Sequence, residues 1–218
     1  RSDWECPQQM TSGPILKICG ITRLADALHA VQQGATALGF VFWTNSPRKI
    51  APEEAKGIIA ALPPEVTPVG VFVDESPETL RAVLTVTGVK AVQLHGDEKL
   101  ADFEFIECPL LKSATLDHLT ETARAWPAET MLLLDAADRV KRGGTGVVVD
   151  WNKAAVAARN HKIVLAGGLT PLNVEEAIRS VRPVGVDVAS GVEASPGIKD
   201  FAKVSAFLTN ARRAFAAL

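Results

Sequence analysis

Eight short apolar runs, each followed by a stretch of helical character, govern what this chain can fold into. The runs occupy residues 15–19, 37–42, 69–73, 91–94, 110–113, 131–135, 162–166 and 185–188. They are rich in Val, Ile and Leu and lack strict polar alternation, as strands buried on both faces do. The intervening stretches predict helices over 24–33, 52–62, from Ser76 onward, and over 97–106, 116–125, 152–159, 171–181 and 201–217. In the first of these, Leu24, Ala27, Leu28 and Val31 share one face. Pro52-Glu53 and Ser76-Pro77-Glu78 are favoured first-turn sequences. Eight such units in series predict an α/β fold, a single (β/α)8 TIM barrel. A doubly wound sheet is the competing architecture. The count of eight and the absence of an early GxGxxG favour the barrel.

No linker or low-complexity segment interrupts residues 15–218, which are read as one catalytic barrel domain. Residues 1–14 are expected to form a disordered or loosely ordered arm, because RSDWECPQQMTSG is polar and irregular and has no signal-peptide core. The chain does not begin with Met, and Met10 stands just ahead of the first strand. Some of residues 1–9 are therefore expected to be a processing or expression remnant.

Charge and composition exclude several classes. A formal net charge of −2 gives no electrostatic footprint for nucleic acid. No apolar run reaches the ~18 residues of a membrane span. Cys6, Cys19 and Cys108 are widely spaced, which argues against a disulfide framework or zinc site and fits a reducing cytoplasm. A monomer acting on a small molecule is expected.

In a barrel, the carboxyl ends of the strands converge on one mouth, where active sites sit. Read in order, those ends carry Cys19, Arg48, Asp74, His95, Lys112, Asp135, Gly167-Gly168 and Ser190-Gly191. Taken alone, Cys19 is a plain core residue, since free cysteine is among the most buried types. Its place just before Gly20 puts the thiol at the mouth instead. Asp135, closing MLLLD, is in isolation as readily a cap as a catalyst. A carboxylate ending a buried strand, however, must be paired, solvated or catalytic. A thiolate and a carboxylic acid at one mouth make a base and an acid.

The glycine-containing loops AGGLTP (166–171) and ASGVEASPG (189–197) follow the seventh and eighth strands. Loops there commonly offer backbone N–H groups to phosphate. A lone glycine merely makes a turn, whereas two neighbouring loops of this kind point to a phosphorylated ligand. KRGGTG (141–146) is a third glycine loop, with the character of a lid. Arg48 suits an anionic substrate, because a guanidinium grips a carboxylate bidentately. His95 has no second ligand at metal spacing, so no metal is expected.

The motifs KICGIT, GFVFWTNSPRKI, VGVFV, VQLHG, LLLD with GGTG, AGGLTPLNV and VDVASGVE occur in this order. Together the chain from residue 15 onward resembles the phosphoribosylanthranilate isomerases. Trp43-Thr44-Asn45, Ala136 and Ala189 depart from residues frequent in that family, but none removes a matched catalytic group. The resemblance implies an Amadori rearrangement of N-(5-phosphoribosyl)anthranilate in tryptophan biosynthesis, without cofactor or metal. It implies Cys19 as general base and Asp135 as general acid. It also implies Arg48 at the anthranilate carboxylate, His95 at the substrate, and Gly167, Gly168, Ser190 and Gly191 at the phosphate. The alternatives are another phosphate-binding barrel isomerase or a non-catalytic barrel that binds a phosphorylated ligand. A metal-dependent epimerase would need more His and acidic ligands at the strand ends.

Overall fold

The computed structural model describes residues 10–135 and 149–218. Its barrel strands are β1 (Ile15–Cys19), β2 (Ala37–Val41), β3 (Thr67–Phe72), β4 (Ala91–Leu94), β5 (Leu110–Ala114), β6 (Met131–Leu134), β7 (Ile163–Leu165) and β8 (Gly185–Val188). All pair in parallel, each with its neighbour, and β1 pairs with β8 to close the barrel. The outer helices are α1 (Leu24–Gln32), α2 (Pro52–Ile59), α3 (Pro77–Thr87), α4 (Leu119–Ala125), α5 (Trp151–Ala158), α6 (Val174–Val181) and α7 (Phe201–Ala216). A small hairpin, β9 (Glu193–Ser195) with β10 (Ile198–Lys199), stands between β8 and α7.

Buried strands need both faces covered, and the side chains divide accordingly. Ile15, Ala37, Val69, Ala91, Leu111, Leu133 and Val164 fill the lower interior of the barrel. Leu16, Ile18, Leu38, Phe40, Leu132, Leu134, Ile163 and Val186 face outward, against a shell that includes Ala27, Ala30, Ile178, Val204 and Phe207. A second outer cluster joins Phe72, Leu80, Leu84, Leu94 and Phe103. Helices begin where the sequence supplies a cap. The Ser76 side chain accepts from Thr79 N, Asp150 from Asn152 N and Lys153 N, and Asp200 from Lys203 N.

Three expectations change. Residues 97–106 form only a 3-10 turn, Leu100–Asp102. The Glu98 carboxylate there accepts hydrogen bonds from Asp74 N, Gly96 N and Lys112 Nζ, so the segment is tied to the ends of β3 and β4 and to β5. Leu100, Phe103, Phe105 and Ile106 then pack into the second outer cluster rather than along one helical stripe. Helix α1 buries Asp26, Ala27 and Ala30, while Leu24 and Leu28 are exposed. Close approach of α1 to the sheet selects small residues there, and Asp26 is engaged by Arg23. Helix α6 starts at Val174 because the Asn173 side chain bonds Thr170 N and Gly168 O, holding the preceding turn open.

Of the expected arm, residues 1–9 lie outside the described residues. Met10 is buried with the lower interior layer, and its carbonyl accepts from Thr67 Oγ1 at 2.5 Å. Beside it, at the amino-terminal end of the barrel, lies a cavity of about 860 Å³. It is at the end opposite the carboxyl ends of the strands, so it takes no part in the site below.

Phe207 is fully buried where α7 meets the outer shell. Phe207→Ala is expected to cost about 3–5 kcal/mol in denaturant unfolding. A loss below about 1 kcal/mol would contradict this packing.

Candidate active site

Alternation along a strand puts Lys17 and Cys19 on the same, inward face of β1. Asp187 of β8 is the register partner of Lys17, and Lys17 Nζ donates to Asp187 Oδ1 at 2.9 Å. The pair is buried, with the Lys17 side chain fully so. Cys19 lies one layer higher, beside Val41 and Val71, with Trp43 and Ala189 against it. Its register partner is Gly39. A Cβ at Gly39 would stand 2.7 Å from Cys19 Sγ and 3.2 Å from Lys17 Nζ. The missing side chain is therefore what lets thiol and ammonium share that space. The Lys17 charge acts on the Cys19 thiol across this space.

Asp135 follows β6 directly. Its Oδ2 lies 3.5 Å from His95 Nε2, and both side chains are mostly covered. On the other side of the ring, Gln93 Nε2 lies 2.9 Å from His95 Nδ1. An amide N–H given to Nδ1 leaves the ring hydrogen on Nε2, the nitrogen facing Asp135. Ser113 Oγ is 3.5 Å from the same Nε2.

Arg48 forms a two-pronged pair with Glu193, Nε to Oε1 at 2.8 Å and Nη2 to Oε2 at 2.7 Å. Its Nη1 donates to no described residue. Glu193 also accepts from Lys199 Nζ at 2.9 Å, and Lys199 Nζ donates to the Cys19 carbonyl at 2.6 Å. The hairpin β9–β10 thus fastens the loop after β2 to the end of β1. Gly167 and Gly168 are both left-handed, with φ of 71° and 68°, a conformation that suits glycine. Among the described residues none accepts from their backbone N–H groups. Ser190 and Gly191 open the short 3-10 turn after β8, with Ser190 exposed. A Cβ at Gly191 would overlap the Leu169 carbonyl, so the two glycine loops touch.

Every nominated residue, Cys19, Arg48, His95, Asp135, Gly167, Gly168, Ser190 and Gly191, therefore lies at or just beyond the carboxyl end of a barrel strand. The glycine loop at 141–146 lies outside the described residues. Lys112 is engaged by Glu98 and the Gly96 carbonyl. Lys17, Asp187, Glu193 and Lys199 went unnamed in the sequence reading, yet a signal was present. An opposite charge stands in the middle of the first and of the last apolar run, strands that a closed barrel makes neighbours.

Charges around the thiol pull in both directions. Burial pushes the Cys19 thiol up, and Lys17 opposes it without cancelling it. Burial also acts against the charged form of Glu193, but hydrogen bonds from Arg48 and the charge of Lys199 outweigh it and hold the carboxyl below its usual range. Burial lowers Lys199 in spite of Glu193.

A closed parallel barrel with ionisable groups gathered at the carboxyl ends of its strands defines a TIM-barrel enzyme. The family model for N-(5'phosphoribosyl)anthranilate (PRA) isomerase matches residues 16–210. A relative named N-(5'-phosphoribosyl)anthranilate isomerase from Trichlorobacter lovleyi is 51% identical over 201 residues, 91% of this chain and 98% of its own length. One of the same name from Pseudomonas fluorescens (strain Pf0-1) is 46% identical over 199 residues, 90% of this chain and 97% of its own. The crystal structure of phosphoribosyl anthranilate isomerase from Thermotoga maritima superposes with a TM-score of 0.83 at 42% identity, covering 91% and 98% of the two chains. A phosphoribosyl anthranilate isomerase in complex with reduced 1-(o-carboxyphenylamino)-1-deoxyribulose 5-phosphate superposes with a TM-score of 0.81 at 40% identity, with the same coverage. The chain belongs to the N-(5'-phosphoribosyl)anthranilate isomerase family.

Because burial dominates at the thiol, alkylation of Cys19 by iodoacetamide is expected to titrate with a midpoint above the ordinary ~8.5. Peptide mass analysis assigns the label. A midpoint near 7 would contradict the described environment. Glu193→Gln is expected to lower the melting temperature at pH 7. In the parent, the Glu193 contribution is present above about pH 4.3 and lost as pH falls through its lowered value. The parent and variant melting curves therefore converge in acid, and a constant gap down to pH 2 would contradict the assignment.

Proposed function

We propose that this chain isomerises N-(5'-phosphoribosyl)anthranilate to 1-(o-carboxyphenylamino)-1-deoxyribulose 5-phosphate, a step of tryptophan biosynthesis, by general acid–base catalysis. The observation that carries the mechanism is the placing of Cys19 and Asp135 at the mouth of one barrel, on strands separated by β7 and β8.

Asp135 gives its proton to the ribose ring oxygen. The bond from that oxygen to C1′ breaks, and the nitrogen lone pair forms a C1′=N iminium. Cys19 as thiolate takes the proton from C2′. The C–H electrons form C1′=C2′, and the iminium electrons return to nitrogen. The enolamine gains a proton at C1′ and loses one from the C2′ hydroxyl, giving the ketone. The iminium is the electron sink, so the chemistry asks for no redox partner.

The surroundings supply the rest. His95, fixed through Gln93, orients Asp135. Arg48, braced by Glu193, has Nη1 available for the anthranilate carboxylate, as a guanidinium in a fixed fork can serve two acceptors. The backbone N–H groups of Gly167 and Gly168, with Ser190 and Gly191 beside them, receive the 5′-phosphate. Cys19 and Cys108 are free thiols, which suits a reducing compartment such as the cytoplasm.

Purified protein is expected to quench anthranilate fluorescence as it consumes freshly made phosphoribosylanthranilate. Cys19→Ser and Asp135→Asn are each expected to lower kcat by about 10²–10⁴-fold. Parent-like turnover in either variant would remove that residue from its role, and no turnover by the parent would overturn the activity.

A further inference from the structure

The buried charges around Cys19 do not balance. Among the described residues, Lys17 reaches it from β1, Lys199 from β10 and Arg48 from the loop after β2. Asp187 faces it from β8, and Glu193 of β9 binds both Arg48 and Lys199. Asp26 of α1 touches Lys199 through its backbone N–H, but Arg23 already neutralises it. His95 and Asp135 stand together at the ends of β4 and β6. Three cations therefore share two carboxylates in a space largely closed to water. Among the described residues that cluster lacks one negative charge, and a low-dielectric surrounding makes such a deficit costly. A substrate carboxylate at Arg48 supplies it from outside; within the chain, the side chain placed to supply it is the Cys19 thiolate. Of the three cations, Lys17 is the one whose ammonium borders, with the sulfur, the space left by Gly39.

We propose that Lys17, steered by Asp187, is the positioning residue that makes a base of Cys19, supplying the counter-charge its thiolate takes up in a cluster one anion short. Asp187 has two opposed effects. It accepts a hydrogen bond that fixes Lys17 Nζ, and it competes with the thiolate for the same ammonium. This arrangement keeps the thiol protonated at rest, so the thiolate, once formed, is a strong proton acceptor. The proton lost from sulfur goes to solvent before the substrate closes the mouth. Lys17 keeps its own proton throughout.

The proposal rests on Cys19 being the base, but its test needs no turnover. The pH midpoint of Cys19 alkylation is measured for the parent, Asp187→Asn and Lys17→Met/Asp187→Asn, with the labelled peptide identified by mass. Removing both members of the pair leaves neither of them as an unpaired buried charge, which protects the fold. Asp187→Asn frees Lys17 for the thiolate and is expected to lower the midpoint by about one unit, a tenfold rise in thiolate at fixed pH below it. The double variant loses the adjoining cation and is expected to titrate above the parent. A purely structural pair would not move the two midpoints in opposite directions. An Asp187→Asn midpoint at or above the parent value, or a double-variant midpoint at or below it, overturns the proposal. The parent's kcat/KM should also rise with pH at the thiol midpoint. A profile that ignores that midpoint overturns the base assignment of Cys19 instead, whatever the variants show.

Discussion

Pairing of β1 with β8 brings Lys17 to Asp187 across a sequence separation of 170 residues. Everything at the mouth depends on that closure. An open sheet would leave both strands with unpaired edges and both charges without partners. Closure turns two isolated charges in apolar strands into a buried pair, and it sets the height at which Cys19 emerges one layer above. The cost of closing so long a loop is met by the whole barrel, since the other seven interfaces join strands that follow one another in the chain.

The same closure brings the loop after β8 to the thiol through Ala189. Gly191 reaches the Leu169 carbonyl so closely that no side chain fits between them. The hairpin β9–β10 follows at once and places Glu193 against Arg48 and Lys199 against the Cys19 carbonyl. The glycine loops, Arg48 and Cys19 are thus one connected unit. Across the mouth, a Gln93–His95–Asp135 series runs inward from strands β4 and β6. The fold separates a cation-rich half around the thiol from a half built around a carboxyl group and an imidazole.

Most of the barrel was legible because its signal is local. Each strand is a short apolar run, and six of the helices fall where periodicity and first-turn residues put them. Residues 97–106 misled because their apolar side chains answer to a tertiary cluster and Glu98 answers to the ends of β3 and β4 and to Lys112 of β5. The face of α1 misled because close packing on the sheet favours Ala27 and Ala30 over the larger Leu24 and Leu28. At the site, Cys19, Arg48, His95 and Asp135 were legible as chemical types at strand ends. Lys17 and Asp187 were not, because each looks like an isolated oddity until β1 and β8 are set side by side. The fork between Arg48 and Glu193 likewise joins loops 145 residues apart.

Removal of the C2′ hydrogen is the step on which the account turns. Its rate is measured in a single turnover by quenching the reaction and following the C2′ proton resonance of the sugar. The account predicts rapid loss with the parent protein and loss slowed by about 10²-fold or more with Cys19→Ser. Loss of the C2′ hydrogen at the parent rate in Cys19→Ser would contradict it.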